Sequence, residues 1–241
     1  MPLPTVATPT YELKLPSSNK KIKYRPFLVK EEKVLIIALE SKSQSEITSA
    51  VKDVLKQCIL TKGVDVDSLP TFDIEYIFLN IRAKSIGEDI KMTVTCPDDR
   101  KTQVPVTLYV DEIKVIKPKD HKTDIVLDDK MTLRMKYPSL NQFIENNFTT
   151  TDNSEEVVNK SFKVIADCMD TIYTEEDAWD VNDYTPSERL DFVEKLSSKQ
   201  YKEVEKFFAT MPKLTHTIEV INPNTKEKGS IVLEGLADFF G

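Results

Sequence analysis

Glycine is scarce in this chain, 5 among 241 residues. Neither G-x-G-x-x-G nor a P-loop occurs, so nucleotide-binding folds built on such loops are disfavoured. Histidine is scarcer still, with only His121 and His216. Neither stands in a nucleophile context such as G-x-S-x-G. His121 lies within Pro118-Lys119-Asp120-His121-Lys122, and each histidine reads as a surface residue without a role. The three cysteines, Cys58, Cys96 and Cys168, are far apart. With no C-x-x-C, neither a redox motif nor a zinc knuckle is complete, and the spacing fits reduced thiols. No H-E-x-x-H is present, and Cys96 followed by Asp98 and Asp99 is turn chemistry before it is a metal site. The adjacent acids Glu31 and Glu32 read as helix N-terminal charges. No catalytic, cofactor-binding or metal-binding constellation emerges, and the expectation is a protein that is not an enzyme.

Long apolar runs are also missing. The longest, over 34–39, is far too short to span a bilayer. The first residues carry no basic, apolar leader, so synthesis and assembly in the cytosol are expected. The net charge of −7 opposes duplex binding, which needs clustered cations. The one basic cluster, Lys20, Lys21, Lys23 and Arg25, reads as a solvated tail.

What the chain does have is alternating periodicity. Prolines 2, 4, 9 and 16 prevent a helix and suggest an extended N-terminal arm over 1–24. A helix over 26–40 follows. A second opens on the capping pattern Ser43-Gln44-Ser45-Glu46 and carries Val51, Val54, Leu55 and Cys58 on one face. A third, over 70–85, is apolar around most of its girth and should be central. Ile90, Met92, Val94 and Cys96 then alternate with polar residues, as do Val104, Val106, Leu108 and Val110. With Pro97-Asp98-Asp99-Arg100 between them they predict a β-hairpin. A second strand pair is expected at 124–127 and 131–135. Helical patterns resume after Tyr137-Pro138-Ser139 and over 154–172, separated by the polar stretch 146–153. Further helices begin at Thr185-Pro186-Ser187-Glu188 and Ser197-Ser198-Lys199-Gln200. A last hairpin turns at Asn222-Pro223-Asn224-Thr225, before the apolar ending Leu236-Ala237-Asp238-Phe239-Phe240. The expected fold is α+β, a mainly helical body with two antiparallel β-ribbons in the order helices, ribbon, helices, ribbon. The expected organisation is the arm 1–24, a helical segment with the first ribbon over 25–137, and a helical segment with the second ribbon and an apolar tail over 138–241. The last two either stand apart or share one core.

Three segments carry a family resemblance. The first is Tyr24-Arg25-Pro26-Phe27-Leu28-Val29-Lys30-Glu31-Glu32-Lys33-Val34-Leu35. The second is Phe72-Asp73-Ile74-Glu75-Tyr76-Ile77-Phe78-Leu79, running into Ile81-Arg82-Ala83-Lys84-Ser85-Ile86-Gly87-Glu88. The third is Phe207-Phe208-Ala209-Thr210-Met211-Pro212-Lys213-Leu214 with Leu233-Glu234-Gly235-Leu236-Ala237-Asp238-Phe239-Phe240. In this order they resemble the baseplate hub subunit and hub assembly proteins of T-even-type contractile-tailed bacteriophages. The resemblance implies a non-enzymatic tail protein acting in hub assembly, as a hub subunit or an assembly factor. Its implied partners are other hub or tape-measure proteins, in the host cytoplasm during assembly and in the virion tail baseplate. One alternative is a tape-measure or tail-assembly chaperone absent from the virion. Another is a degenerate zinc-ribbon nucleic-acid binder: relatives carry C-x-x-C in the first ribbon, where Cys96-Pro97-Asp98-Asp99 keeps one cysteine and Asn222-Pro223-Asn224-Thr225 keeps none. A hydrolase with an unrecognised carboxylate site is the remaining class.

Arginine and aromatic residues are enriched at interfaces, which makes Arg25, Phe27, Arg82, Lys84, Trp179, Phe239 and Phe240 the partner-binding candidates. Each also has an internal reading. Arg82 would pin helix to ribbon through a nearby carboxylate, Trp179 would sit in a solvated acidic loop, and the two C-terminal phenylalanines would belong to the core.

Overall fold

The computed structural model describes residues 6–41, 43–139, 142 and 154–240. The chain is α+β and divides into two compact units. Unit 1 is Met1–Ile116 with Lys213–Gly241, and unit 2 is Lys117–Pro212. Unit 2 is therefore an insertion between two parts of unit 1. The sequence pattern draws its line at 137–138 instead, because it registers where helical periodicity resumes and not which segments pair.

Residues expected as a single extended arm double back as a hairpin, β1 (Tyr11–Lys14) on β2 (Lys21–Tyr24). Leu13, Ile22 and Tyr24 are buried between exposed neighbours, the period of a strand with one face on a core. Pro9 and Pro16 fall outside the paired residues, so neither removes a ladder N–H. The backbone N–H of Ser17 donates to Asp73 Oδ1 at 3.0 Å, and its hydroxyl donates to the other oxygen. Burial pushes the Asp73 carboxyl above the usual range.

Helix α1 (Val29–Glu40) buries only Glu31, Leu35 and Ala38. In α2 (Gln44–Cys58) the Ser43 hydroxyl accepts from the N–H of Glu46, and Val51, Val54, Leu55 and Cys58 form its buried face. Helix α3 (Thr71–Ile86) is the central one: Phe72, Ile74, Ile77, Phe78, Leu79 and Ile81 are all buried. Each fully buried side chain of this kind contributes roughly 1.5–3 kcal/mol. Gly87 ends α3 at φ +131 and ψ 156, a region that only glycine enters readily. The first ribbon follows, β3 (Asp89–Thr95) against β4 (Gln103–Tyr109), then the short β5 (Lys114–Ile116).

Unit 2 holds a four-stranded antiparallel sheet in chain order: β6 (Asp124–Val126), β7 (Thr132–Met135), β8 (Met169–Tyr173) and β9 (Ala178–Asp180). Helix α4 (Ser154–Cys168) precedes β8, and α5 (Pro186–Glu194) and α6 (Ser198–Ala209) follow β9. The helical pattern over 154–172 is thus corrected at its end. The helix stops at Cys168, and four of the five residues of β8 pair with β7, the register shifting at Asp170. Both later helices carry full capping boxes, Thr185 with Glu188 and Ser197 with Gln200. The helix expected after Tyr137-Pro138-Ser139 and the polar stretch 146–153 lie outside the described residues.

His121 is buried at 7% exposure, not at the surface. Its charged sequence neighbours gave no sign of its tertiary partners. Thr210 Oγ1 already donates to the Lys206 carbonyl, so His121 Nδ1–H donates to Thr210 at 3.0 Å. Nε2 is left as the acceptor for the Tyr137 hydroxyl at 2.9 Å. The ring also packs against Phe207, centroids 5.2 Å apart. Burial, with Lys117 second, pushes the imidazole pKa below its ordinary value and holds it neutral.

The chain then returns to unit 1. Strand β10 (Lys213–Ile221) pairs with β5 on one side and β11 (Lys228–Glu234) on the other, and α7 (Gly235–Phe240) closes the described chain. Leu79 of α3, Ile90 and Leu108 of the first ribbon, Leu214 and Leu233 of the second, and Phe239 share one core.

Candidate functional site

Six of the seven partner-binding candidates fall in unit 1. Arg25 and Phe27 lie in the link from β2 to α1. The two terminal guanidinium nitrogens of Arg25, Nη2 and Nη1, donate to the Glu31 carboxylate at 3.1 and 3.3 Å, and the N–H of Leu28 adds a bond of 2.5 Å. Glu31 is 1% exposed. It is therefore a buried, fully engaged ion and not merely a helix N-terminal charge. Burial alone would raise its pKa, but the bonds from Arg25 and Leu28 outweigh it and hold the carboxyl below its ordinary range. Phe27 is buried, and its N–H donates to Ser85 Oγ of α3 at 3.0 Å.

Arg82 and Lys84 sit on α3. Burial lowers the Arg82 pKa and the charge of Asp89 works against that shift. Arg82 Nη1 is buried with no hydrogen-bond partner among the described residues. Lys84 is exposed, pairs with Glu88 and lies 5.6 Å from the Tyr11 ring centroid. Phe239 is a core residue at 2% exposure. The side chain of Phe240 lies outside the described residues. Trp179 is alone in unit 2, on β9 and 36% exposed.

The two ribbon tips meet. Asp98 of the first turn accepts from Asn222 Nδ2 at 2.9 and 3.0 Å and from Thr225 Oγ1 at 2.5 Å. Asn224 Nδ2 donates to Thr102 Oγ1 at 3.0 Å. Asp99 accepts from the Thr102 hydroxyl and from the N–H groups of Thr102 and Lys101, which holds its carboxyl far below the usual range. Asn222, 1% exposed, is the buried centre of this clasp. Gly229 lets Pro97 pack closely, since a Cβ there would lie 2.5 Å from the proline Cγ. Cys96 beside it is buried. Burial pushes the other two thiols up, Cys58 to about 11 and Cys168 to about 12, so neither offers a ready thiolate. Among the described residues no three His, Cys, Asp or Glu side chains converge on a metal position, and no helix is long and apolar enough to cross a membrane.

The surface that the sequence reading missed is the outer face of α1. Val29 is 81% exposed, Ile37 56% and Ile36 50%, and Leu28, Val34 and Leu39 are partly exposed around them. Val29, Lys33, Ile36, Ile37 and Glu40 lie on one side of a helical wheel, opposite Glu31, Leu35 and Ala38, so three exposed apolar side chains share that side with two charges. The available signal was an apolar run flanked by charges whose buried stripe contains a glutamate. Only one side of that helix can face the core, so the remaining apolar residues must face out.

The described residues thus hold a helix with one buried and one exposed side, a polar clasp and a buried ion pair, and no converging catalytic set. A family model described as T4 bacteriophage base plate protein matches residues 8–241, and the chain belongs to that family. It is a phage baseplate protein, with a structural role among other phage structural proteins. No curated protein and no solved structure matches the chain.

Proposed function

We propose that this baseplate protein acts in assembling the hub, as a hub subunit or assembly factor, by binding hub or tape-measure proteins and without catalysing a reaction. The observation that carries the reading is the outer face of α1, where Val29, Ile36 and Ile37 are each at least half exposed. Apolar side chains exposed together on one helix face, rimmed by Lys33 and Glu40, suit a protein contact. The charge of −7 argues against a nucleic-acid partner.

Quantitative mass spectrometry of purified tails tests the role. A fixed small copy number per tail is the result expected of a hub subunit. Recovery from infected-cell lysate bound to hub or tape-measure protein, with none in tails, would instead make it an assembly chaperone. Absence from both tails and such complexes would overturn the proposal.

A further inference from the structure

Helix α1 carries its exposed charges in a self-complementary order. An α-helix turns about 100° and rises about 1.5 Å per residue. On that geometry Lys33 and Glu40 lie within about 10° of one line along the outer side of α1, and Ile36 and Ile37 lie about 50° to either side of it. The line runs almost opposite Glu31, Leu35 and Ala38, the buried residues of the helix. Lys33 and Glu40 each stand about 5 Å along the axis from the midpoint between the two isoleucines. Both are exposed, and neither side chain has a hydrogen bond or ion pair among the described residues. The remaining charges of α1 sit off the line: Lys30 pairs with Glu31 at 3.4 Å, and Glu32 is about 90° round the helix.

This order has a two-fold property. When two copies of α1 lie antiparallel with their midpoints matched, residue 33 of each copy faces residue 40 of the other. Lys33 then meets Glu40 twice, and Ile36 of each copy meets Ile37 of the other. Packed helix axes lie about 8–10 Å apart, a gap that a lysine side chain spans. A parallel pair would set Lys33 on Lys33 and Glu40 on Glu40, so the charges select the antiparallel arrangement. Two helices of 12 residues bury less than the ~1,600 Å² of a standard interface, and the contact is correspondingly weak.

We propose that α1 of this protein docks on α1 of a second copy, antiparallel about a two-fold axis between Ile36 and Ile37, with Lys33 and Glu40 paired reciprocally. The pairing covers the apolar face in a chain that has not yet reached the hub, and its modest area lets a hub or tape-measure protein displace it. The proposal rests on the reading of α1 as a protein-contact face and names the occupant of that face before hub assembly.

The test is sedimentation equilibrium of the purified full chain. The average mass should rise from monomer to dimer between about 10 μM and 1 mM. Lys33→Glu and Glu40→Lys should each move that rise to a concentration at least about tenfold higher, because like charges then face each other at both ends of the pair. An equimolar mixture of the two variants should dimerise like the parent, since each acidic position of one chain then faces a basic position of the other. The double variant Lys33→Glu, Glu40→Lys should do the same on its own. Both positions are exposed, so the unfolding midpoints of all variants should match the parent. A parent still monomeric at about 1 mM, a mass beyond the dimer, a dimer indifferent to the single variants or a mixture that stays monomeric would overturn the proposal. Those outcomes concern the purified chain alone and leave the hub reading standing, and that reading fails separately in the tail proteome.

Discussion

The two units of this protein both join helices to antiparallel strands, but polar side chains serve them differently. Unit 1 buries an ion pair, Arg25 with Glu31, and locks its two ribbon tips through Asp98, Asn222 and Thr225. Unit 2 buries a neutral imidazole, His121, between Tyr137, Thr210 and Phe207. The contrast follows from topology. The ribbons of unit 1 are separate hairpins far apart in sequence, and cross-ribbon bonds join their tips beside the core that they share. In unit 2 the strands already form one continuous ladder, and a single polar group suffices to orient an aromatic core. Charge in unit 1 and neutrality in unit 2 predict different responses to substitution and to pH.

The largest effect should come from Glu31→Ala. It leaves the Arg25 guanidinium buried without its carboxylate, and such losses cost about 3–5 kcal/mol. Urea denaturation should show that drop; a change under about 1 kcal/mol would mean that water already serves the site. Next comes Gly229→Ala, which drives a Cβ into Pro97. A cost of about 1–3 kcal/mol is expected for such overpacking. Pro97→Ala in the same chain should recover most of it.

Acid should separate the units. The His121 pKa is lowered in the folded state, so the unfolded chain takes up the proton first. The stabilisation is complete above the ordinary value of 6.5 and declines as pH falls below it. His121→Gln should remove that slope. Asp98 and Asp99 are likewise depressed, Asp98 chiefly by Thr225 and Asp99 chiefly by Thr102. Their contribution is complete above 3.8 and is lost as pH falls through their folded values. Hydrogen exchange between pH 4 and 6 should therefore show unit 2 loosening while the ribbon tips of unit 1 stay protected. Simultaneous loosening would erase the distinction drawn between the units.

Unit 1 was also the more legible unit. Its ribbons show in the sequence because Ile90, Met92, Val94 and Cys96 alternate strictly and the turn residues lie between the strands. Strand β8 was hidden because Met169 continues the stripe of Phe162 and Ile165, and no glycine or proline marks the change at Cys168. What decides it is pairing with β7, from Thr132↔Tyr173 to Met135↔Met169, a tertiary fact with no local trace beyond β-prone Thr171, Ile172 and Tyr173. The candidate residues show the same limit. Its place in the first family segment and its residue type singled out Arg25, yet its engagement with Glu31 depends on the path of the chain between β2 and α1. Trp179 was found because it is a lone tryptophan, while the strand pairing that brings it beside Ile172 was invisible. The outer face of α1 was overlooked because a uniformly apolar run does not say which side faces the core.

The proposed hub role depends on α1 binding another tail protein. The direct measurement is tail assembly in cells infected with phage lacking this gene and supplied with the Ile36→Glu, Ile37→Glu variant. Both side chains are at least half exposed, so folding stability should stay within about 0.5 kcal/mol of the parent. The expected result is a folded variant that fails to co-purify with hub or tape-measure protein and supports few or no tails. Normal numbers of tails with the variant would contradict it.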